Sequence, residues 1–595
     1  MSTTTPEPTW DMSVVYPGLD STEFKSDFQT LLECTSALEA TFDNLGIHGG
    51  AAQKDTDVRT AETLINEWNR YNERIDTIES YIYAFVSTDS QNSVAQLRLN
   101  ELVPVQSRLR KLSVRMTAWL GEREFGDDAR TNTTLAAHAR TLEIARVIST
   151  HLMSPAEEDL AADLASSGSG GWERLQEDYS SVLRVEIPGK GTFTMPQTRG
   201  MAYDSDQKVR KAAYEAELAT WKQAETVIAF AMNGIKGEVG QLSRRRGWNA
   251  PLDSALFSNG VSRESLDAML DAARATFPAL RKYMQIKGRM LGSQNGLPWY
   301  DLFAPIGNDD STWSFDEGAA FVIEQFGKYS AKMGDFAARA VRERWIDAAP
   351  QPNKRDGAFC MSLRKDESRL LQTWKPSFSA VSTLAHELGH GYHNLCLAER
   401  TSLQRHTPMT LAETASIFCE TIIMKQAVAQ ANETQRLALL ESNLMRSTQT
   451  VVDITSRFLF EQSVFEKRSE RDLSAAELCD LMTAAQADTY GDGLSDARHP
   501  YMWAAKPHYY SGSASYYNYP YMFGQLFSMG LYSQYEADPE RFKSTYDDLL
   551  SSTGMFDAET LARRFNIDLR SGEFWDGSLK IIRDEVEQFA QLVGN

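Results

Sequence analysis

Cysteine is scarce in this chain: there are five in 595 residues, at positions 34, 360, 396, 419 and 479. An odd, sparse and widely spaced set does not make a disulfide framework, and it points to a reducing compartment. Positive charge is also in short supply. Lys and Arg total 61 against 81 Asp and Glu, a formal net charge of -20, so there is little to displace the counterions of a phosphate backbone, and no nucleic-acid partner is expected. The first 24 residues hold no Lys or Arg and no continuous apolar run, which matches neither a secretory signal nor an Arg-rich transit peptide. No segment has the apolar length that a membrane span requires. The expectation is a soluble cytoplasmic protein with no membrane partner.

The composition that is present, 42% hydrophobic over 595 residues, supports a large core and more than one lobe. Apolar spacing of three and four dominates. Between Val58 and Phe85, Leu64, Trp68, Tyr71, Ile75, Ile78, Ile82 and Phe85 fall on one helical stripe, and similar patterning from Ser21 to Leu164 predicts a helical N-terminal lobe. Ser166 to Gly171 reads as a flexible loop. A hairpin is expected next, with Val182–Ile187 and Thr192–Met195 flanking Pro188-Gly189-Lys190-Gly191. The lobe boundary is placed just after it, giving an N-terminal lobe of 1–200 and a mainly helical catalytic domain of 201–595. Ser368–Trp374 reads as a short strand whose free edge either binds substrate backbone in extended form or is an ordinary sheet edge.

The most informative stretch is His386-Glu387-Leu388-Gly389-His390. Two imidazoles four residues apart lie on one face of a helix, and a carboxylate between them can hold a water bound to a shared metal ion. This is half of a catalytic zinc site, which needs one more protein ligand. A Gly three residues and a His six residues after His390 would complete one common pattern, but those positions hold His393 and Cys396. Glu413, in the helical run Leu411–Glu420, is the expected third ligand. Glu420, two turns further on, either accepts a hydrogen bond from the distal nitrogen of a liganding histidine or is an ordinary ion-paired carboxylate. His393 is expected in a structural or substrate-facing role. Gly389 and Gly391 each cost about 1 kcal/mol inside a helix relative to Ala, which suits close passage of another backbone.

These residues resemble the oligoendopeptidase F branch of the thimet-oligopeptidase-like zinc peptidases. The resemblance rests on His386–His393, on Met409–Ser416 with Glu420, and on matches along the chain at Trp10-Asp11, Val209–Tyr214, Asn233–Gly237, Arg246–Trp248 and Lys354–Cys360. It implies a mainly α, two-lobed helical metallopeptidase with a deep substrate channel and a small β-sheet beside the zinc helix. It also implies one Zn2+ per chain held by His386, His390 and Glu413, with Glu387 as general base, and short unstructured peptides as substrates. The segment Lys506–Tyr521 resembles the family's downstream His and Tyr segment, whose side chains contact substrate and stabilise the oxyanion. His508, Tyr517 and Tyr521 are expected in that role, with Tyr510, Tyr516 and Tyr519 as alternatives, and the intervening Gly and Ser residues suggest a loop that closes on substrate.

The expected activity is zinc-dependent hydrolysis of internal bonds in oligopeptides, Glu387 activating the water. An exopeptidase on the same site needs an anchor for a peptide terminus, and a non-catalytic peptide-binding protein has no use for Glu387. Cys360 is expected to be a buried thiol or a redox-sensitive one.

Overall fold

The computed structural model describes residues 6–47, 58–307 and 312–594. The chain is mainly helical, with two small sheets. It divides into two compact units, each assembled from three segments: Met1–Pro155, Asp310–Gln426 and Gln534–Phe565 in the first, Ala156–Asp309, Ala427–Ser533 and Asn566–Asn595 in the second. Because each unit is discontinuous in sequence, the units do not coincide with the expected division at residue 200.

In the first unit the stripe expected between Val58 and Phe85 forms a helix over Val58–Thr88, and Leu64, Tyr71, Ile75, Ile78 and Ile82 are buried along it. A preceding helix, Thr22–Asn44, buries Phe24, Phe28, Leu31, Leu38 and Phe42. The Ser21 hydroxyl accepts from Phe24 N and so satisfies one of that helix's free amides. The three-stranded sheet has the order β3 (Ile346–Asp347), β5 (Glu367–Gln372), β4 (Ala358–Arg364), with β3 parallel and β4 antiparallel to β5. The strand expected around Ser368–Trp374 is therefore central, and its edges are taken. The edge strands are β3 and β4; the pairing of β4 with β5 was missed in the sequence reading, and part of β4 is covered where the Ser80 hydroxyl donates to Ser362 O at 2.8 Å.

A buried lysine fixes this sheet. Lys354 Nζ donates to the Asp347 carboxylate at 2.7 Å and to the carbonyls of Asp347, Ala349 and Gln372. Removing one partner of such a pair typically costs about 3–5 kcal/mol, because a charge is left buried alone. From the end of β5, the Gln372 side chain donates to Ala380 O at 2.8 Å, which ties the sheet to the first turn of the Phe378–Cys396 helix.

In the second unit the hairpin forms as β1 (Arg184–Ile187) and β2 (Gly191–Thr194), antiparallel, with Gly189 and Gly191 at φ 75° and 112° in its turn. Ser166–Gly171 is not an open loop throughout. A helix starts at Ser169, and the Glu238 carboxylate accepts from Ser169 N at 2.6 Å and from its hydroxyl at 2.8 Å, which supplies the missing cap. The long helix Gln207–Arg245 begins at Asp206, as patterned. Its Arg210 pairs with Asp301 at 2.7 Å and its Lys236 with Glu461 at 2.6 Å, all four side chains being buried. Among the described residues no helix is long and apolar enough to cross a membrane.

Candidate active site

His386, Glu387, His390 and His393 lie on the helix Phe378–Cys396, which opens with a Ser377 cap. The i,i+4 spacing turns both imidazoles to one side, their ring centroids 4.9 Å apart. Glu413 arrives from a different segment. The helical run expected over Leu411–Glu420 is broken: one short helix ends at Ala412, Glu413 occupies a turn, and the next helix begins at Ser416.

Gly389 is what lets the turn approach. A Cβ built there would sit 2.6 Å from Ser416 Cα and 2.8 Å from Ala415 O, so the backbone beside Glu413 lies directly on the helix. At Gly391 the neighbour is a side chain instead, the Phe336 ring at 2.8 Å. The Glu413 carboxylate is thereby delivered to both histidines, its Oε2 3.4 Å from His386 Nε2 and 3.4 Å from His390 Nε2.

The donor set has the spacing of a metal site. Ligand atoms about 2.1 Å from a tetrahedral zinc are about 3.4 Å apart, which is the separation between Glu413 and each imidazole. Among the described residues, only these three form a group of His, Cys, Asp or Glu ligand atoms converging within 4.8 Å of one another. Protonation suits the same purpose. Burial holds His390 below its ordinary value, so its ring is neutral with a free lone pair. Burial works to raise the Glu413 carboxyl, but His390, His386 and the Ser416 hydroxyl, which donates to it at 2.6 Å, together hold it below the usual range. The residues fit a zinc ion.

Two serines in this arrangement escaped the sequence reading. Ser416 steadies Glu413, and a hydroxyl three residues after a carboxylate is a weak signal that could have suggested it. Ser382 donates to Glu420 Oε1 at 3.1 Å, while Glu420 Oε2 lies 3.3 Å from His386 Nδ1. With the Nδ1 proton directed at Glu420, the Nε2 lone pair of His386 faces Glu413 and the convergence point.

Glu387 is buried, and its Oε2 has no hydrogen-bond partner among the described residues. Burial pushes its carboxyl up to about 7, with His386 pulling it down and Glu413 adding to the rise. His393, three residues beyond His390, points elsewhere: its Nε2 is 2.8 Å from the Thr553 hydroxyl and 3.2 Å from Leu550 O, in the core. The Cys360 thiol is pushed far up by burial, so it stays protonated.

His508, Tyr517 and Tyr521 form a separate cluster in the second unit. The His508 ring stacks on Tyr517 with centroids 4.9 Å apart, and the hydroxyls of Tyr517 and Tyr521 are 3.4 Å apart. Asn518 Oδ1 accepts from His508 Nδ1 at 3.0 Å, which leaves Nε2 for another group. Burial lowers the His508 value, countered by the Asn518 bond. The alternatives are core residues. Tyr510 donates to Trp503 O at 3.1 Å, Tyr519 donates to Ala255 O at 3.2 Å, and Tyr516 stacks on Phe465; all three are buried. The Gly and Ser run before Tyr516 is packed where Gly512 meets Ser169, a Cβ there falling 2.3 Å from the Ser169 hydroxyl.

Comparison with known proteins agrees with this chemistry. The model of "Peptidase family M3" matches residues 323–581. Group B oligopeptidase PepB of Streptococcus agalactiae is 23% identical over 453 residues, 74% of each chain. The chromosomal oligoendopeptidase F of Lactococcus lactis subsp. cremoris is 24% identical over 417 residues, 69% of this chain and 68% of that one. Among solved structures, a putative peptidase from Chlamydophila abortus has the same fold, with a TM-score of 0.82 at 19% identity and 99% of both chains covered. The oligoendopeptidase F of Enterococcus faecium superposes with a TM-score of 0.65 at 16% identity, covering 96% of this chain and 99% of that one. These sequence matches and the His-His-Glu cluster agree on a metalloendopeptidase similar to the oligoendopeptidases F, with residues 323–581 matching peptidase family M3.

Proposed function

We propose that this protein is a zinc-dependent oligoendopeptidase that cuts internal bonds of short unstructured peptides. The observation that carries the reading is the convergence of His386, His390 and Glu413 beside Glu387, which shares the helix of the two histidines and whose buried Oε2 has no hydrogen-bond partner among the described residues. When bound, zinc supplies a Lewis acid that polarises the scissile carbonyl and makes water at the site more acidic.

The protein's own groups do the rest. Glu387 takes a proton from the attacking water and delivers it to the amine as the C–N bond breaks, a double duty suited to a carboxyl whose burial raises it to about 7. Glu420 holds the Nδ1 proton of His386 and so keeps the imidazole in one tautomer and one orientation. His508, Tyr517 and Tyr521 contact substrate and donate hydrogen bonds to the oxyanion that forms at the attacked carbonyl. Their gathering into one accessible cluster supports this role, as does the burial of the other three tyrosines. All five cysteines are free, which supports a cytoplasmic location.

The test is cleavage of an internally quenched peptide of about ten residues, blocked at both ends, with and without a chelator and beside an unfolded full-length protein. Chelator-sensitive internal cleavage with the long chain spared is expected. An intact blocked peptide, with dipeptides released from the C-terminus of its unblocked form, would replace the endopeptidase reading with an exopeptidase, and binding of both forms without any cleavage would replace it with a peptide carrier.

A further inference from the structure

Within the second unit, a small chamber of about 40 Å³ is lined on one side by Trp299, Leu302, Phe303 and Met502 and on the other by Arg199, Arg457 and Lys506. Three cations face a space of a few water volumes. Two of them have carboxylate partners: Arg199 Nη1 is 2.9 Å from Glu217 Oε1, and Arg457 pairs with Asp453. Glu217 is shared further, with His499 Nε2 3.3 Å away. Lys506 takes part in no ion pair or side-chain hydrogen bond among the described residues, and burial, aided by Arg457, pushes its ammonium down to about 8. Arg457 Nε is likewise buried with no acceptor among the described residues. The wall between Thr448 and Asp453 is a π-helical turn, Gln449–Asp453, inserted between two α-helices, an irregularity that turns up often at binding sites.

The positive groups thus outnumber the negative ones around a space with apolar walls, where an unmatched charge is costly and a matching anion is favoured. The chamber also reaches the His508 cluster. Arg457 Nη1 donates to Asn518 Oδ1 at 3.0 Å, the same oxygen that accepts from His508 Nδ1 at 3.0 Å. We infer that this chamber binds one small monovalent anion, a halide or a single carboxylate group, held by Lys506 with Arg457 and Arg199 and linked to the orientation of His508 through Asn518. A space of about 40 Å³ suits a group of that size.

The experiment starts from the metal-loaded protein in gluconate buffer. Bromide or formate is added at constant ionic strength, and the midpoint of thermal unfolding is followed together with kcat and KM on the quenched peptide. A saturable rise of a few degrees is expected with either anion. It is retained in Lys506→Arg and lost in Lys506→Gln, which separates this chamber from anion binding elsewhere. In bromide-soaked crystals an anomalous peak is expected within hydrogen-bonding distance of Lys506 Nζ. Absence of a saturable shift in the wild type, an equal shift in Lys506→Gln, or a chamber without the bromide peak would each overturn the inference. The two sources of carboxylate separate in the activity arm. If a peptide C-terminus occupies the chamber, formate raises KM for free-acid peptides and not for amidated ones. If a free ion occupies it, formate changes kcat equally for both. The unfolding and diffraction readouts do not depend on the peptidase reading.

Discussion

The Phe378–Cys396 helix and the segment 508–521 present polar groups in opposite ways. On the helix, both imidazoles are aimed by backbone geometry, and two of the three converging groups are held from behind: His386 by Glu420 and Ser382, and Glu413, which meets both rings, by Ser416. In the segment, His508 sits in one turn of 3-10 helix, Tyr517 precedes a helix and Tyr521 lies in its first turn, with 37% of its surface exposed. Rigid convergence suits the grip on an ion, where errors of a few tenths of an ångström matter. A cluster of stacked rings near solvent suits contact with a ligand that arrives and leaves.

The sharpest break of this comparison is Glu413→Ala, which removes the one group that both histidines face. Peptide cleavage should fall below detection, and elemental analysis should find less than stoichiometric zinc, while circular dichroism stays that of the wild type; full zinc content would reject Glu413 as ligand. Glu387→Gln should keep its zinc and lose roughly 10²–10⁴ in kcat. Turnover near the wild-type value in that variant would remove Glu387 from the chemistry.

In the other region, Tyr521→Phe, Tyr517→Phe and His508→Asn should each lower kcat by about 10²–10³, the usual loss on deleting one oxyanion donor. The matched control is Tyr510→Phe, which gives up a buried hydrogen bond worth about 1 kcal/mol and should lower the unfolding midpoint with kcat intact. If the control and the three cluster variants behave alike, the cluster has no role beyond packing. Glu420→Gln should weaken zinc binding by about 10–100-fold in a competition titration with a fluorescent chelator, leaving the fold unchanged. The smallest effect concerns His393. Burial, with a contribution from His390, lowers its folded value to about 4 from an ordinary 6.5. Its neutral form therefore contributes stability in full above pH 6.5, and that contribution is lost as pH falls toward and through about 4. Urea unfolding of metal-free protein at pH 7 and pH 4.5 should show a smaller drop for His393→Asn than for the wild type.

Much of the first region was legible because a helix converts spacing into direction. His386 and His390 could be placed on one face from their positions alone, and elimination at positions 393 and 396 led on to Glu413. The break in the helix at Glu413 was not legible, since Ala412, Thr414 and Ala415 carry no helix-stopping signal; it is close packing on Gly389 that the turn answers to. The central place of β5 was missed for a similar reason. β4 has the alternation of a strand, but pairing order depends on which strand Lys354 and Asp347 bring alongside, and that is a tertiary fact. Several landmarks that carried the resemblance turn out to be clamps rather than chemistry. Lys354, Arg210 and Lys236 each end in a buried carboxylate partner, and Asn233 bridges to Leu473 through both its amide oxygen and its amide nitrogen. Among six tyrosines between 509 and 521, sequence could not separate the four at the core from the accessible pair, because no period governs a loop.

The notch at Gly389 also makes the hydrolytic centre depend on tertiary packing. The helix carries two imidazoles and a carboxylate, and a third donor joins them only when Ala415 and Ser416 are seated against that glycine. A half-made or locally melted chain therefore lacks a complete cutting edge. The seating of one turn thus acts as an interlock on the complete donor set.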